Sequence, residues 1–195
     1  MGDLARLRIN EIFHSIQGEG TRAGLPCTFI RTTGCHLRCA WCDTQYAFYE
    51  GGWLTLDEIL ERVRRYDCPL VEVTGGEPLL QPAAVPLLAR LCDEFDTVML
   101  ETSGAVSIAP VDPRVVRIMD IKCPGSGEAE RNCWENLELL TARDELKFVL
   151  LNRADYDWAR EVLQRYDLSK RCPVLFAPVF GQLTPRELAT WILAD

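Results

Sequence analysis

Three cysteines lie close together in the first quarter of this 195-residue chain: Cys35, Cys39 and Cys42, with the spacing C-x3-C-x2-C. Thiolates this close in sequence can hold one metal centre. Iron–sulfur clusters are usually held by four cysteines, so three leave one iron open to an external ligand, as a catalytic metal site requires. The same spacing suits a structural zinc site completed by His36 or by a distant cysteine. On spacing alone, both kinds of metal centre stay open.

A second candidate for ligand binding is the segment Thr74-Gly75-Gly76-Glu77-Pro78, which follows an apolar run. Paired glycines allow a ligand to approach the backbone closely, although a plain turn between a strand and a helix uses the same residue types. The next two apolar runs end in Glu101-Thr102-Ser103 and in Asp120-Ile121-Lys122. Polar strand ends are common in proteins without a ligand, but a cation such as Lys122 has a direct electrostatic reason to face a carboxylate.

A third candidate is the glycine-punctuated segment Ile16-Gln17-Gly18-Glu19-Gly20. Its amide and carboxylate side chains can recognise the amide-like edge of a heterocycle by paired hydrogen bonds. Its glycines let the backbone approach such a ring closely. The alternative is an ordinary surface turn.

The elements that must position these residues alternate between strands and helices. Short apolar or β-branched runs bounded by turn residues predict strands. They span 8–14, 27–32, 69–74, 97–101, 115–120, 145–151 and 172–179. Thr55 with Glu58, and Thr184 with Glu187, predict the start of two helices by the capping-box pattern. This alternation predicts an α/β fold with a parallel sheet, in which ligands bind at the carboxyl ends of the strands.

Composition limits the class of protein. With 48% hydrophobic and 26% charged residues, the chain is expected to form one soluble domain over residues 1–195. Its net charge of −8 would repel a nucleic-acid backbone, so nucleic acid is not expected as a partner. No apolar run is long enough for a membrane span, and charges in the first ten residues replace the apolar core of a signal peptide. A cytoplasmic location with no membrane contact is expected.

The cysteine motif, followed by Trp41-Cys42-Asp43 and later by G-G-E-P, resembles the radical S-adenosylmethionine superfamily. The resemblance implies an incomplete (β/α)6-type partial barrel and one 4Fe–4S cluster on the three cysteines. It also implies that S-adenosylmethionine binds the open iron and supplies a 5′-deoxyadenosyl radical. The cofactor-binding residues that it implies are Trp41, Asp43, Gly75, Gly76, Glu77, Ser103, Asp120 and Lys122.

A narrower resemblance runs in order from about Phe13 to Pro124. The string S-I-Q-G-E-G, the cysteine loop with its Cys-Asp-Thr ending and T-G-G-E-P resemble the 7-carboxy-7-deazaguanine synthase family. This resemblance implies the rearrangement of 6-carboxy-5,6,7,8-tetrahydropterin with loss of ammonia, on the route to queuosine and related 7-deazapurines. It implies Mg²⁺ on Thr44, and substrate contacts from Ile16, Gln17, Gly18, Glu19, Arg31 and Thr74. The planar fork of Arg31 suits a carboxylate, and a surface ion pair is the alternative.

Two rival interpretations accompany this one: a glycyl-radical activating enzyme, which shares the cysteine triplet and T-G-G-E-P but lacks Q-G-E, and a non-catalytic zinc-binding module. The family resemblance also implies a homodimer and an electron donor such as flavodoxin. The chain stops at residues 193–195, where the family usually continues into a strand with a histidine–lysine pair, so we expect a truncation or a different lid. The other cysteines are expected to be buried reduced thiols, with a second cluster near Cys123 and Cys133 as a weaker alternative.

Overall fold

The computed structural model describes residues 5–195. Residues 1–4, which belong to the charged N-terminal stretch where no signal peptide is expected, lie outside the described residues. Eight strands of the described residues form one sheet, and seven of them confirm the predicted strands to within a few residues. The strands are β1 (Arg6–Ile16), β2 (Pro26–Thr32), β3 (Gly52–Thr55), β4 (Leu70–Gly75), β5 (Thr97–Thr102), β6 (Val116–Ile121), β7 (Glu145–Leu150) and β8 (Val174–Pro178). Their order in the sheet is β3-β1-β2-β4-β5-β6-β7-β8, which leaves the barrel open.

The expectation of a parallel sheet is correct for β2 and for β4 to β8 but wrong for β1. Strand β1 runs antiparallel to β2, with Ile16 opposite Pro26. The reason is the short connection over residues 17–25, since a parallel crossover needs about a dozen residues or more. Strand β3, which was not predicted, pairs antiparallel with β1 and forms the edge.

Four helices cover the outer face of the sheet: α1 (Leu56–Arg64), α2 (Ala84–Glu94), α3 (Arg153–Tyr166) and α4 (Pro185–Ala194). The capping box predicted at α1 is present, because the Thr55 hydroxyl accepts from the Glu58 N–H at 3.2 Å and the Glu58 carboxylate accepts from the Thr55 N–H at 2.7 Å. At α4, the Thr184 hydroxyl accepts from the Glu187 N–H at 3.2 Å. No helix within residues 5–195 is long and apolar enough to cross a membrane.

The two faces of the sheet have different chemistry. Apolar side chains of the helices pack on the outer face around residues such as Ile30, Val71 and Leu100, all fully buried. The inner face begins apolar at the amino ends of the strands, where Cys27, Leu70, Met99 and Val116 form a second cluster. Side chains two residues further along point to the same face. The inner face therefore changes from apolar to polar towards the carboxyl ends, where a cavity opens.

Candidate active site

One cavity of about 1120 Å³ lies against the inner face of the sheet. It collects every predicted site residue except Glu77. Those that line it are Cys35, Cys39, Cys42, Trp41, Asp43, Thr44, Gly75, Gly76, Ser103, Asp120, Lys122, Ile16, Gln17, Gly18, Glu19, Arg31 and Thr74. A volume of this size exceeds what one drug-sized ligand needs, so it has room for two small molecules side by side.

The cysteine loop leaves the carboxyl end of β2 and is fixed by backbone hydrogen bonds. The N–H of Gly34 donates to Ala47 O at 2.9 Å, and the N–H of Ala40 donates to Ser126 O at 3.0 Å. Gly34 adopts φ +99°, a left-handed conformation that favours glycine and turns the chain towards the cavity. All three thiols are unpaired and partly exposed along one wall.

The surroundings of Cys35 and Cys39 disfavour their thiolate forms, so a cationic centre is needed to deprotonate these two thiols. Burial raises the pKa values of Cys35 and Cys39, and the nearby Lys122 ammonium only partly offsets that effect. Bound thiolates must be deprotonated, so iron would supply the missing positive charge. Within residues 5–195, no three Cys, His, Asp or Glu side chains surround a single point. Zinc needs its sulfur ligands within about 2.3 Å of one ion, whereas a cluster takes each thiolate on a different iron. The three thiols therefore fit an iron–sulfur cluster better than one zinc ion.

The glycine turn packs directly against the cysteine loop. A Cβ atom on Gly76 would lie 2.2 Å from Gly34 O and 2.9 Å from the Cβ of Cys35, so only glycine fits there. Gly75 has φ +148°, and a Cβ atom there would lie 2.4 Å from Thr32 O. The turn thus presents bare backbone to the cavity beside the thiols, as the sequence predicts for a ligand-binding turn.

Glu77 requires a correction, because its carboxylate lies behind the cavity wall. The side chain is fully buried, and the carboxylate accepts from Leu79 N at 3.0 Å, from the Thr102 hydroxyl at 2.9 Å, and from the N–H and hydroxyl of Ser103 at 2.7 and 2.5 Å. A carboxylate occupied in this way has no capacity left for a ligand. Glu77 is a positioning residue, which ties the glycine turn to the end of β5.

Asp120 and Lys122 form an ion pair at the end of β6, with 2.8 Å between Lys122 Nζ and Asp120 Oδ2. Burial opposes the charge on Lys122, but the Asp120 carboxylate outweighs it and raises the pKa of Lys122. The second carboxylate oxygen, Asp120 Oδ1, is buried without a hydrogen-bond partner, as is His36 Nδ1 in the cysteine loop. Unsatisfied buried polar atoms are costly, so both atoms would be stabilised by a polar partner.

Arg31 forms an ion pair and also lines the cavity, so its position is compatible with both alternatives given for it, a surface ion pair and a contact with a ligand carboxylate. Its Nε donates to Glu11 Oε1 at 2.7 Å, and its guanidinium lies 5.9 Å from the ring centres of Phe13 and Tyr46. The side chain nevertheless lines the cavity. Among the described residues, Nε is the only guanidinium nitrogen of Arg31 with a hydrogen-bond partner. Its two terminal nitrogens are left for a carboxylate ligand.

Residues 17–22, the floor segment, close the end of the cavity opposite the cysteine loop. Because β1 is antiparallel, Ile16 lies beside the first residue of β2, whereas the cysteines follow its last residue. The Q-G-E motif is therefore not on the rim of strand carboxyl ends where the other candidates lie. The loop crosses to β7, where Glu145 accepts from the Thr21 hydroxyl at 2.5 Å and Lys147 donates to Glu19 at 2.6 Å.

Three further charged side chains lie on the inner face: Glu72 and Lys147, which were given no role from the sequence, and Glu101, which was named only as part of a polar strand end. Lys147 donates to Glu101, and the Gln17 amide donates to Glu72. Burial and the Glu101 charge raise the pKa of Glu72 to about 8. Burial opposes the charge on Glu101, but Lys147 outweighs it and the pKa of Glu101 is lowered. For Glu72 and Glu101 the signal in the sequence is the one charged residue of each strand, whereas Lys147 shares its strand with Glu145.

Thr44 lies at the mouth of the cavity, beside the cysteine loop. Its hydroxyl donates to Asp43 Oδ1 at 3.2 Å and lies 3.9 Å from Cys42 Sγ. One hydroxyl is far fewer than the six oxygens that Mg²⁺ requires. A magnesium site here would need substrate oxygens and water, so the role of Thr44 stays a prediction.

The open, largely parallel sheet with a cysteine triplet at its carboxyl ends defines a radical S-adenosylmethionine protein, and the model of the Radical SAM superfamily matches residues 29–119. The chain is 49% identical to the 7-carboxy-7-deazaguanine synthase of Chlorobaculum tepidum, over 100% of this chain and 90% of that protein. It is 44% identical to the synthase of Koribacter versatilis, over 97% and 90% of the two chains. The chain belongs to the 7-carboxy-7-deazaguanine synthase family.

Solved structures support the fold. The crystal structure of QueE from Escherichia coli superposes with a TM-score of 0.80, covering 97% of this chain and 91% of that one at 24% identity. A structure of TYW1 with a lysine-pyruvate adduct bound superposes with a TM-score of 0.58 at 14% identity. Family membership favours the synthase over the two rival interpretations, the activating enzyme and the zinc module. A 4Fe–4S cluster, S-adenosylmethionine and Mg²⁺ are the cofactors that go with this family.

Proposed function

We propose that this chain converts 6-carboxy-5,6,7,8-tetrahydropterin to 7-carboxy-7-deazaguanine with loss of ammonia, as a carbon–nitrogen lyase of queuosine and 7-deazapurine biosynthesis. The observation that carries the proposal is the shared cavity. At one end it has three free thiols and a bare glycine turn, and at the other it has the amide and carboxylate groups of the floor segment, while the Arg31 guanidinium lies beside Thr74 near the carboxyl end of β2. These are the groups needed to hold a metal cluster and a small polar heterocycle next to each other.

The cofactor end would use residues of the cysteine loop and the rim. Cys35, Cys39 and Cys42 would hold the cluster, which with S-adenosylmethionine supplies the radical chemistry. The backbone of Gly75 and Gly76 and the side chains of Ser103, Asp120 and Lys122 would bind the polar parts of S-adenosylmethionine, with Trp41 and Asp43 alongside. Lys122, held as a cation by Asp120, suits a ligand carboxylate.

The substrate end would use residues of the floor segment and β2. Arg31 would bind the pterin carboxylate through its terminal nitrogens, while Gln17, Glu19 and Thr74 would bind polar atoms of the ring. The backbone of Ile16 and Gly18 would complete this wall. Thr44 would help to hold Mg²⁺ through its hydroxyl oxygen, and the ion would supply positive charge next to the substrate oxygens.

The test is anaerobic incubation of the iron-loaded protein with a reductant, S-adenosylmethionine, Mg²⁺ and the carboxylated pterin. We expect the deazaguanine product by chromatography and mass spectrometry, and we expect the Cys39→Ala variant to form none. Cleavage of S-adenosylmethionine without product would keep the superfamily chemistry and refute this substrate. Iron and sulfide counting on both proteins would show whether the variant has lost its cluster, and it would also test for a second cluster.

The family resemblance leads us to propose a homodimer and an electron donor such as flavodoxin. A cytoplasmic location is proposed from the sequence. The acidic chain, with a net charge of −8, supports the absence of direct nucleic-acid contacts. Light scattering on the purified protein would measure its mass, and a monomer at working concentration would refute the homodimer.

A further inference from the structure

Glu72 is a buried carboxyl group on the inner face of β4 that opens onto the cavity. The residue is only 3% exposed, yet it lines the cavity together with Gln17, which is 5% exposed. The Gln17 side-chain nitrogen donates to Glu72 Oε2. The other oxygen, Oε1, has no partner among residues 5–195 and is not among the fully buried unpartnered atoms, so it faces the cavity.

The groups around Glu72 leave its carboxyl group neutral below about pH 8. Burial is the largest cause of its raised pKa, and the charge on Glu101 adds to it. The facing cation, Lys147, is shared between Glu101 and Glu19. Cys27, which packs beside Glu72, has its pKa raised to about 12 by burial and by the charge on Glu72. A neutral carboxyl group offers one donor and one acceptor, whereas a carboxylate only accepts.

We propose that Glu72 is a specificity-determining residue, whose neutral carboxyl group binds the lactam edge of the pterin ring beside Gln17. A lactam presents one N–H donor and one carbonyl acceptor. The free oxygen of Glu72, Oε1, would carry the proton and donate it to the carbonyl, and the second lone pair of Oε2, which already accepts from Gln17, would accept from the N–H. The carboxylated carbon of the substrate must face the cofactor at the cysteine end, so the pyrimidine half of the pterin extends towards the floor segment. This inference rests on the proposed function for the identity of the ring.

The partner of Glu72 is pre-positioned by the floor segment. Gln17 Oε1 accepts from the N–H of Glu19 at 3.0 Å, which fixes the amide so that its nitrogen points at Glu72. Glu19 is itself bound to Lys147 at 2.6 Å. The Gln17 amide is thus held in place beside Glu72 before substrate arrives, which limits the entropy cost of binding.

The experiment compares Glu72→Gln and Glu72→Leu with the wild-type holoenzyme. Glutamine keeps one donor and one acceptor but cannot ionise, whereas leucine removes both. Glu161→Gln, on the exposed side of α3, is the matched control. Binding of the carboxylated pterin is measured by anaerobic equilibrium dialysis between about pH 6.5 and pH 9.5, since the pKa of Glu72 lies near the middle of that range. KM and the affinity for S-adenosylmethionine are measured in parallel.

We expect the wild-type dissociation constant for the pterin to rise as the pH passes 8, because the carboxylate can no longer donate to the lactam carbonyl. Glu72→Gln should stay within about threefold of wild type at pH 6.5 and lose this rise. Glu72→Leu should bind the pterin about tenfold to a hundredfold more weakly, with S-adenosylmethionine binding unchanged. The control should follow wild type throughout.

Three outcomes would overturn the inference. The first is Glu72→Leu binding the pterin within twofold of wild type, and the second is an equal loss of S-adenosylmethionine affinity, which would mean a structural role. The third is wild-type binding that is unchanged or tighter above pH 8, which would indicate a donor-only edge of the ring at Glu72. Failure of the proposed function would be recognised by a separate result, because the wild-type enzyme would then form no deazaguanine whatever the binding measurements show.

Discussion

Replacing Glu77 tests whether a buried carboxylate holds the cofactor end of the cavity together. In the structure it accepts four hydrogen bonds, from groups of Leu79, Thr102 and Ser103, and it is fully buried. The variant Glu77→Ala would leave these donors unpaired in a closed space. Glu77→Gln keeps the volume but presents an N–H₂ group towards donors.

The magnitude follows from the number of bonds. Hydrogen bonds to charged groups contribute roughly 1.5–3 kcal/mol each, and their losses do not add because neighbours relax. We therefore expect Glu77→Ala to lower the free energy of unfolding by about 3–5 kcal/mol, within the range seen when a buried charged network is broken. For a chain of this size that corresponds to a fall in Tm of about 10 °C. Glu77→Gln should lose about half as much.

The assay is urea unfolding, followed by S-adenosylmethionine binding to the iron-loaded protein under conditions where each variant stays folded. Since Ser103 and the glycine turn both line the cavity, their release should weaken S-adenosylmethionine binding at least tenfold in Glu77→Ala. The exposed substitution Glu161→Ala should change stability by less than about 0.5 kcal/mol. A Glu77→Ala protein as stable as that control would refute the positioning role.

Three further substitutions test other parts of the site and the fold. Arg31→Ala should weaken pterin binding while S-adenosylmethionine cleavage continues, and unchanged pterin affinity would contradict the role of Arg31. Lys147→Met should cost about 3–5 kcal/mol in unfolding free energy near pH 7, because it strands the Glu101 carboxylate. Since Lys147 lowers the pKa of Glu101 from about 4.5 to about 2, this loss should be present above about pH 4.5 and shrink in urea melts as the pH falls from there towards 2, and a pH-independent loss would contradict it. Asp144→Ala should cost a similar amount, because buried Arg117 would lose a partner at 2.6 Å, and an unchanged urea midpoint would contradict that.

Local spacing predicts the cofactor end of the site well. The thiols of Cys35, Cys39 and Cys42 share a wall because they lie within eight residues of one loop. Gly76 packs on that loop because it directly follows the neighbouring strand β4. The strand–helix alternation likewise predicts all six strands that pair in parallel in the described part of the chain. In these places short-range sequence and tertiary structure agree.

The substrate end depends on contacts that sequence spacing does not reveal. The direction of β1 decides that Gln17 lies at the floor, and Lys147 reaches Glu19 across 128 positions of the chain. Glu72 differs from its neighbours only by a charge inside an apolar strand, and its pKa depends on Glu101 from the next strand. The positioning role of Glu77 could not be predicted from sequence spacing either, because its partners Thr102 and Ser103 lie at the end of another strand.

Ammonia release tests the central claim most directly, because loss of one nitrogen distinguishes the ring rearrangement from cofactor cleavage alone. In anaerobic reactions of the iron-loaded protein with S-adenosylmethionine, Mg²⁺ and the carboxylated pterin, we predict ammonia and 7-carboxy-7-deazaguanine in equal amounts, and neither with Cys39→Ala. Cofactor cleavage by the wild-type protein without ammonia and without deazaguanine would contradict the function proposed for this cavity.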